Sequence, residues 1–402
     1  MPAITELELP VFDYTDQSLR GERYRDAMRA LDDSGWIVAG PLGFLVLERE
    51  AGEFFLRTKS AVFPGLTIAE LFGIEDGPLR EEIVGNIINV NGDDHRRLRN
   101  LVNPALSPRA ADRHREAMRG FLRELLDALP KDGRCEFVEA FAKPYPSLSI
   151  AHVLGAPLED APLLHDWSNW IQRQFDAAAL VTDRERIEQA VVEAYTYLGR
   201  LLDNHRRSPG EDVISELLAA ESEGDRLSHA EVRDLVLDLI LGGIDTAQSQ
   251  LSHTVRLLAE HPDQWAALRE RPDELAGAAV EESLRHEPVT PFTARITVEP
   301  VEYRDVTFPP GTVVMVSAWH ANREDAGEEF DITADRGRAR ILTFGAGIHY
   351  CVGANLARAE LEEAIAFLAR ELEAVELDGE PRYGTITGIY GLDALPVRLV
   401  RA

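Results

Sequence analysis

Apolar residues recur at about every 3.6 positions in five stretches, Arg115–Leu129, Glu188–Asn204, His229–Glu260, Glu274–Arg285 and Ala354–Glu373, and this spacing predicts amphipathic helices. Strand-like alternation is sparse. It is confined to Trp36-Ile37-Val38, Gly43–Leu47, Ala294–Val298 and Thr312–Val316, the last following a Pro309-Pro310-Gly311 turn. The pattern predicts a mainly α fold with small β-sheets. The third helical stretch is unusual: about 30 residues rise ~45 Å, enough to cross a whole domain. Ser228 stands as its N-cap with Glu231 completing a capping box, yet Gly242-Gly243 interrupts its middle. Each glycine costs about 1 kcal/mol there relative to alanine, so the pair implies a local function.

On that helix Asp238, Leu241, Gly242, Asp245 and Thr246 project in one broad direction, and small residues at 242 and 243 would let a flat, bulky group approach the backbone. Read alone, Thr246 would bond back to a carbonyl and Asp245 would be solvated. Asp238 lies among Leu235, Val236, Leu237, Leu239, Ile240 and Leu241, where an unpaired carboxylate is costly. It either finds a partner within the protein or faces a substrate with a donor or cationic group. Glu282 and Arg285, three apart, form a helical ion pair.

Composition narrows the class. With 402 residues, 45% of them hydrophobic, the chain can bury a sizeable core, and no low-complexity linker or repeat divides it, so we expect one domain over 1–402. Ser208-Pro209-Gly210 and Gly224-Asp225 read as loops between helices. Met1–Arg20 lacks a basic segment followed by an apolar run, and no stretch is apolar enough to span a bilayer; a soluble, cytoplasmic monomer is expected. A net charge of −28 repels nucleic acid and anionic membrane, which excludes both as partners. The exceptions are Arg96, Arg97 and Arg99 after His95, and Arg336, Arg338 and Arg340, which together could form a docking patch for an acidic electron donor.

The densest chemistry is Phe344-Gly345-Ala346-Gly347-Ile348-His349-Tyr350-Cys351-Val352-Gly353, directly before the last helix. A cysteine ligates iron only as thiolate, so its surroundings must favour negative charge on sulfur while keeping solvent away. Gly345, Gly347 and Gly353 would take positive φ and aim backbone N–H groups at the sulfur, and the helix start adds partial positive charge. Phe344 would shield the sulfur and His349 would reach an anionic group at a cofactor edge. On its own, Cys351 could also be an ordinary buried residue.

This loop resembles the cysteine loop of the cytochrome P450 superfamily in its soluble bacterial members, Phe-Gly-x-Gly-x-His-x-Cys-x-Gly, at every fixed position. Gly242-Gly243-Ile244-Asp245-Thr246 and Glu282-Ser283-Leu284-Arg285 occur upstream in the family's order, so the resemblance runs from about Gly35 to the C-terminus. It implies the P450 fold, with the long helix crossing haem b and locally opened beside it. Cys351 would be the axial ligand, which forbids a disulfide with Cys135. His95, Arg99, Arg295 and His349 would hold the propionates. Thr246 would hydrogen-bond the iron-bound ligand and a water, and Asp245 would relay protons. Glu282–Arg285 would lock its helix to the meander before the loop, near Asn322-Arg323 and Phe330-Asp331.

The implied activity is insertion of one atom of O2 into a small to medium, largely apolar molecule, most simply as hydroxylation, with electrons from a ferredoxin and its reductase. Substrate contacts are expected from Ile83–Val90, Val289–Thr293 and the C-terminal loop: Ile87, Pro291, Phe292, Ile389 and Tyr390, with Asp238 and Leu241. Two positions depart from the family, Asn91-Gly92-Asp93-Asp94 in place of an acidic-proline run and Ala247 after Thr246, and the former puts the geometry of that loop in question. The alternatives are a peroxide-driven peroxygenase, in which the acid-alcohol pair would be surplus, and a non-catalytic haem sensor or carrier.

Overall fold

A computed structural model describes residues 1–222, 227–336 and 341–402. The expected loop at Gly224-Asp225, and Arg338 and Arg340 of the basic patch, lie outside the described residues. Helices dominate, and the five predicted ones are present as Arg115–Ala128, Arg184–Arg207, the 229–260 stretch, Pro272–His286 and Ala354–Glu371. The final helix packs against both Arg115–Ala128 and Pro272–His286 and buries Leu356, Leu361, Ile365 and Leu368. Its end comes at Glu371, because Leu372–Leu377 pairs as a strand with Pro396–Arg401.

The principal sheet runs Ile37–Gly40, Gly43–Val46, Val313–Ser317, Phe292–Thr297, Ala61–Val62. Gly43–Val46 lies parallel to Val313–Ser317, and the other pairings are antiparallel. This sheet covers a smaller apolar cluster around Phe55, Phe308 and Val316, while the main core lies among the helices. Among the described residues, no helix is long and apolar enough to cross a membrane.

The 229–260 stretch starts as predicted. Ser228 Oγ accepts the Glu231 N–H at 3.2 Å, and Glu231 Oε2 accepts the Ser228 N–H at 2.7 Å. It is not one continuous helix, however. His229–Gly243 and Asp245–Glu260 meet at Ile244, whose φ and ψ of −97° and −69° depart from helical values. Periodicity carries across such a break because one distorted residue barely shifts the apolar face.

Carbonyls at the opening are satisfied from the side. Thr246 Oγ1 donates to Gly242 O at 2.7 Å, Gln172 Nε2 to Leu241 O at 2.6 Å, and Ser168 Oγ approaches Ile240 O at 3.5 Å. Gln172 and Ser168 belong to the crossing helix Ala161–Gln172, so the opening is held by a second element.

Candidate active site

Cys351 and Gly242 of the helix opening line the same cavity. Its lining brings His95, Arg99, His349, Cys351 and Val352 together with Leu235, Asp238, Leu239, Leu241 and Gly242, and with Ile87, Ile88, Gln172 and Phe175. Gly242 is exposed to this space, and a side chain built there would meet nothing within 4 Å. Gly243 corrects the expected symmetry. A Cβ there would stand 2.3 Å from Ile150 Cδ1, so this glycine allows close helix packing and does not face the cavity.

The cysteine loop is built largely by backbone. Cys351 N–H donates to Phe344 O at 2.9 Å, closing the loop on its first residue. Gly345 and Gly347 have φ of 68° and 75°. At Gly347 a Cβ would also lie 2.6 Å from Leu56 O, so glycine is required twice over. Gly353 differs from expectation. Its φ is −82°, and its contribution is an N–H that, with that of Ala354, points to the Cys351 sulfur.

Burial raises the thiol's pKa, while those N–H groups and the charges of Arg99 and Arg358 oppose the rise. Arg358 was not singled out by the sequence. Its guanidinium lies 4.5 Å over the Phe344 ring and pairs with Glu281, so Phe344 carries a cation beside the thiolate loop. Cys135 and Cys351 are both free thiols.

Three basic side chains, His95, Arg99 and His349, line the cavity, and Arg295 stands near enough to His349 to act on it electrostatically. The His95 and His349 rings lie with centroids 4.5 Å apart and planes tilted by 59°, His349 Nε2 lies 3.3 Å from Asn91 Oδ1, and Arg99 donates to Tyr350 O at 2.8 Å. Asn91 also opens the helix Gly92–Val102, so the departure from the family's sequence before His95 leaves a regular helix start. Arg295 is 2% exposed and bonds only to Ala294 O among the described residues. Burial lowers its guanidinium to about 10. Burial, then the charges of Arg295, His95 and Arg99, push the His349 imidazole down to about 3.

The guanidinium groups of Arg99 and Arg295 bond only to backbone carbonyls and have no acidic partner among the described residues. Buried cations without counter-ions call for an anion from outside the chain, to which the imidazole N–H groups of His95 and His349 can also donate. The two propionates of haem are such anions, the open face at Gly242 admits a planar ring, and Cys351 lines the same cavity; these residues fit haem.

Asp245 turns away from the cavity toward the Ala161–Gln172 helix. Ser168 Oγ donates to Oδ2 at 2.5 Å, Asn169 Nδ2 stands 3.5 Å from Oδ1, and His165 Nε2 is 4.0 Å away. Burial raises its pKa above 3.8, and the Ser168 bond and His165 oppose the rise. Asp245 also borders a second, polar recess of about 480 Å³ with Asn169, Gln172, Gln248 and Ile389. Gln172 borders both spaces. No local motif could reveal Ser168 or Gln172, because a separate helix brings them to the opening.

The substrate residues divide. Asp238, Leu241 and Ile87 line the Cys351 cavity, and Ile389 lines the polar recess. Tyr390 does not face either space: it is fully buried, stacked on Tyr383 at 6.2 Å and edge-on to Tyr24. Pro291 and Phe292 also line neither space. Pro291 O accepts Ala318 N–H, and Phe292 begins the sheet strand beside Tyr14.

Glu282 and Arg285 form the expected pair with two bonds of 2.8 Å. Arg285 continues to Gly327 O and Glu329 O, and Glu282 accepts Asp331 N–H at 3.0 Å, which ties the helix to the meander. Arg336 also binds Glu282, at 2.9 Å, and Arg97 pairs with Glu231 and Asp94. Arg96 pairs with Asp93 at 2.7 Å, so three described members of the expected basic patch are engaged in internal pairs.

A cysteine loop and an opened helix sharing one cavity, with the guanidinium groups of Arg99 and Arg295 lacking an acidic partner among the described residues, define a haem-thiolate oxidoreductase. The chain belongs to the cytochrome P450 family, whose model matches residues 79–381. It is 34% identical to luteothin monooxygenase of Streptomyces thioluteus over 97% of this chain and 96% of that one. The crystal structure of CalO2 superposes with a TM-score of 0.90 at 31% identity, covering 98% of this chain and 99% of that one. P450BioI, solved in complex with an acyl carrier protein bearing hexadec-9Z-enoic acid, gives 0.83 at 30% identity, covering 94% and 97%. The protein is a P450 monooxygenase and its cofactor is haem.

Proposed function

We propose that this chain, acting as one cytoplasmic catalytic domain, hydroxylates a largely apolar natural-product-like substrate with O2 and electrons from a ferredoxin and its reductase. The observation that carries the reading is a cavity lined both by Cys351 and by Leu241 and Gly242, next to the break in the long helix at Ile244. Luteothin monooxygenase supports the substrate class by likeness.

When bound, haem supplies the iron and its oxidising chemistry. Cys351 would ligate it, His95, Arg99, Arg295 and His349 would hold its propionates, and Leu241 and Ile87 would exclude water around the substrate. Asp245 accepts the Ser168 hydroxyl beside the polar recess, where it can pass protons inward, and Thr246 Oγ1 donates to the carbonyl of Gly242, a residue that lines the cavity. Retention of this pair favours O2-driven over peroxide-driven turnover.

Replacing Asp245 by asparagine removes the proton carrier while keeping the shape. Oxygen-driven kcat is expected to fall about 10²- to 10⁴-fold, with substrate binding unchanged and peroxide-driven turnover far less affected. Parallel steady-state assays with ferredoxin, reductase and O2, and with hydrogen peroxide, measure this. Equal losses in both would remove Asp245 from proton supply.

A further inference from the structure

Asp238 lies one helix turn before Gly242, on the face that lines the Cys351 cavity. Its surroundings are apolar: Ile87, Leu235, Leu239, Leu241 and Phe175 share the lining. Only one of its oxygens is engaged within the protein. The Ile87 N–H donates to Oδ2 at 2.9 Å, and among the described residues no bond or ion pair reaches Oδ1. One oxygen thus has an internal partner, while the residue lines the cavity.

The charge around Asp238 is unbalanced. Glu82 and Asp234 stand near enough to act on it electrostatically, and the crowding is built in: a Cβ at Gly85 would meet Asp234 Oδ2 at 2.3 Å. Glu82 is 2% exposed, with one oxygen bonded by Asn86 and the other without a partner. The neighbouring cation, Arg233, is already divided between Asp234 and Glu81, each at 2.8 Å, and is stacked 3.7 Å over the Tyr195 ring. Arg99 and His95 line the same cavity but make no bond or ion pair with Asp238 among the described residues. Burial, and then the carboxyls of Glu82 and Asp234, favour the protonated form of Asp238, so its carboxylate lacks a cation that a ligand in the cavity could bring to the remaining oxygen.

We propose that Asp238 anchors a cationic nitrogen of the substrate, so that the substrate's apolar remainder lies along Leu241 toward Gly242. A cation in an apolar wall is held by a charge-assisted contact with a carboxylate, and a neutral isostere at the same place leaves that carboxyl unpaired. The inference rests on the monooxygenase reading, because it takes this cavity as the substrate site.

The test uses the haem-loaded protein and a matched pair of probes, phenylpropyl-trimethylammonium, whose nitrogen cannot ligate iron, and its neutral tert-butyl isostere. Titration followed by haem absorbance is expected to show the cation binding about tenfold more tightly. Asp238→Asn should abolish the preference and Asp238→Leu should reverse it. Absence of preference in the wild type, no saturable binding of the cation, or a preference that survives in Asp238→Asn overturns the proposal. The reduced carbon monoxide spectrum keeps the two readings apart: a wild-type protein without the thiolate-haem signature fails as a monooxygenase, whereas an intact signature with equal probe binding rejects the cation site alone.

Discussion

Cys351→Ala abolishes the thiolate-haem signature in the reduced carbon monoxide spectrum and reduces oxygen-driven turnover to background. The expected loss is close to total because the chain offers no second sulfur at this position: Cys135 lies in the strand Arg134–Glu136, away from the loop. The fold should survive. Cys351 closes its loop through the backbone, by the N–H bond to Phe344 O, and alanine keeps that bond. Circular dichroism unchanged beside an altered carbon monoxide spectrum is therefore the expected combination. Haem that still shows the thiolate signature in the variant would remove Cys351 as ligand. Arg358→Ala supplies a graded comparison, since it removes a cation near the sulfur and leaves the sulfur in place.

Glu282→Ala is the largest expected loss of stability. Glu282 is 4% exposed and serves two guanidinium groups and one N–H. Removing it leaves Arg285 and Arg336 without their carboxylate at the junction of helix and meander. Breaking a buried pair from one side costs about 3–5 kcal/mol, so the urea midpoint should drop accordingly and haem content on purification should fall with it. An unchanged midpoint would mean that the Gly327 and Glu329 carbonyls hold Arg285 unaided.

Acid should reveal the same physics. Glu282 is held below 4.5 although burial opposes it, chiefly by its bonds to Arg285 and Arg336. Glu287, fully buried against Arg25 at 3.1 Å and Arg256 at 2.7 Å, is held further below by those charges. A carboxyl depressed in the folded state binds fewer protons there than in the unfolded chain. Its stabilisation is present above about 4.5 and lost as pH falls toward the folded value. Acid unfolding followed by fluorescence should therefore begin below that point, with Glu287→Gln showing a shallower acid limb. Glu360 has the opposite sign: burial raises it to about 8, so its protonated form suits the fold and stability falls as pH rises toward that value.

The elements that the chain announces are those whose signals are local. Ser228 and Glu231 cap a helix through bonds spanning three residues, and Glu282 and Arg285 meet because one helix turn separates them. The cysteine loop is equally legible, since Gly347 must be glycine to pass Leu56 and Cys351 has to stand at a helix start. Arg295 could be named in advance by resemblance. Its lack of an acidic partner among the described residues, which makes it a good anion site, appears only when the strand is buried.

What the chain alone misjudged depends on partners distant in sequence. Gly243 looked like a second open face, but Ile150 fills it; Tyr390 looked like a substrate contact, but Tyr24 and Tyr383 enclose it. Arg336 looked like part of a docking patch until Glu282 claimed it. The break at Ile244 is held by Ser168 and Gln172 from another helix, and no periodicity within 229–260 records them.

By itself, then, the sequence determined the helices, their caps, the thiolate loop and the acid-alcohol pair, because short-range geometry dictates each of these. Which faces those residues turn toward one another was decided only by tertiary packing. Asp245 was brought to Ser168 and a polar recess, and Asp238 was brought to Ile87 and the cavity that Cys351 also lines, by the crossing of helices far apart in the chain.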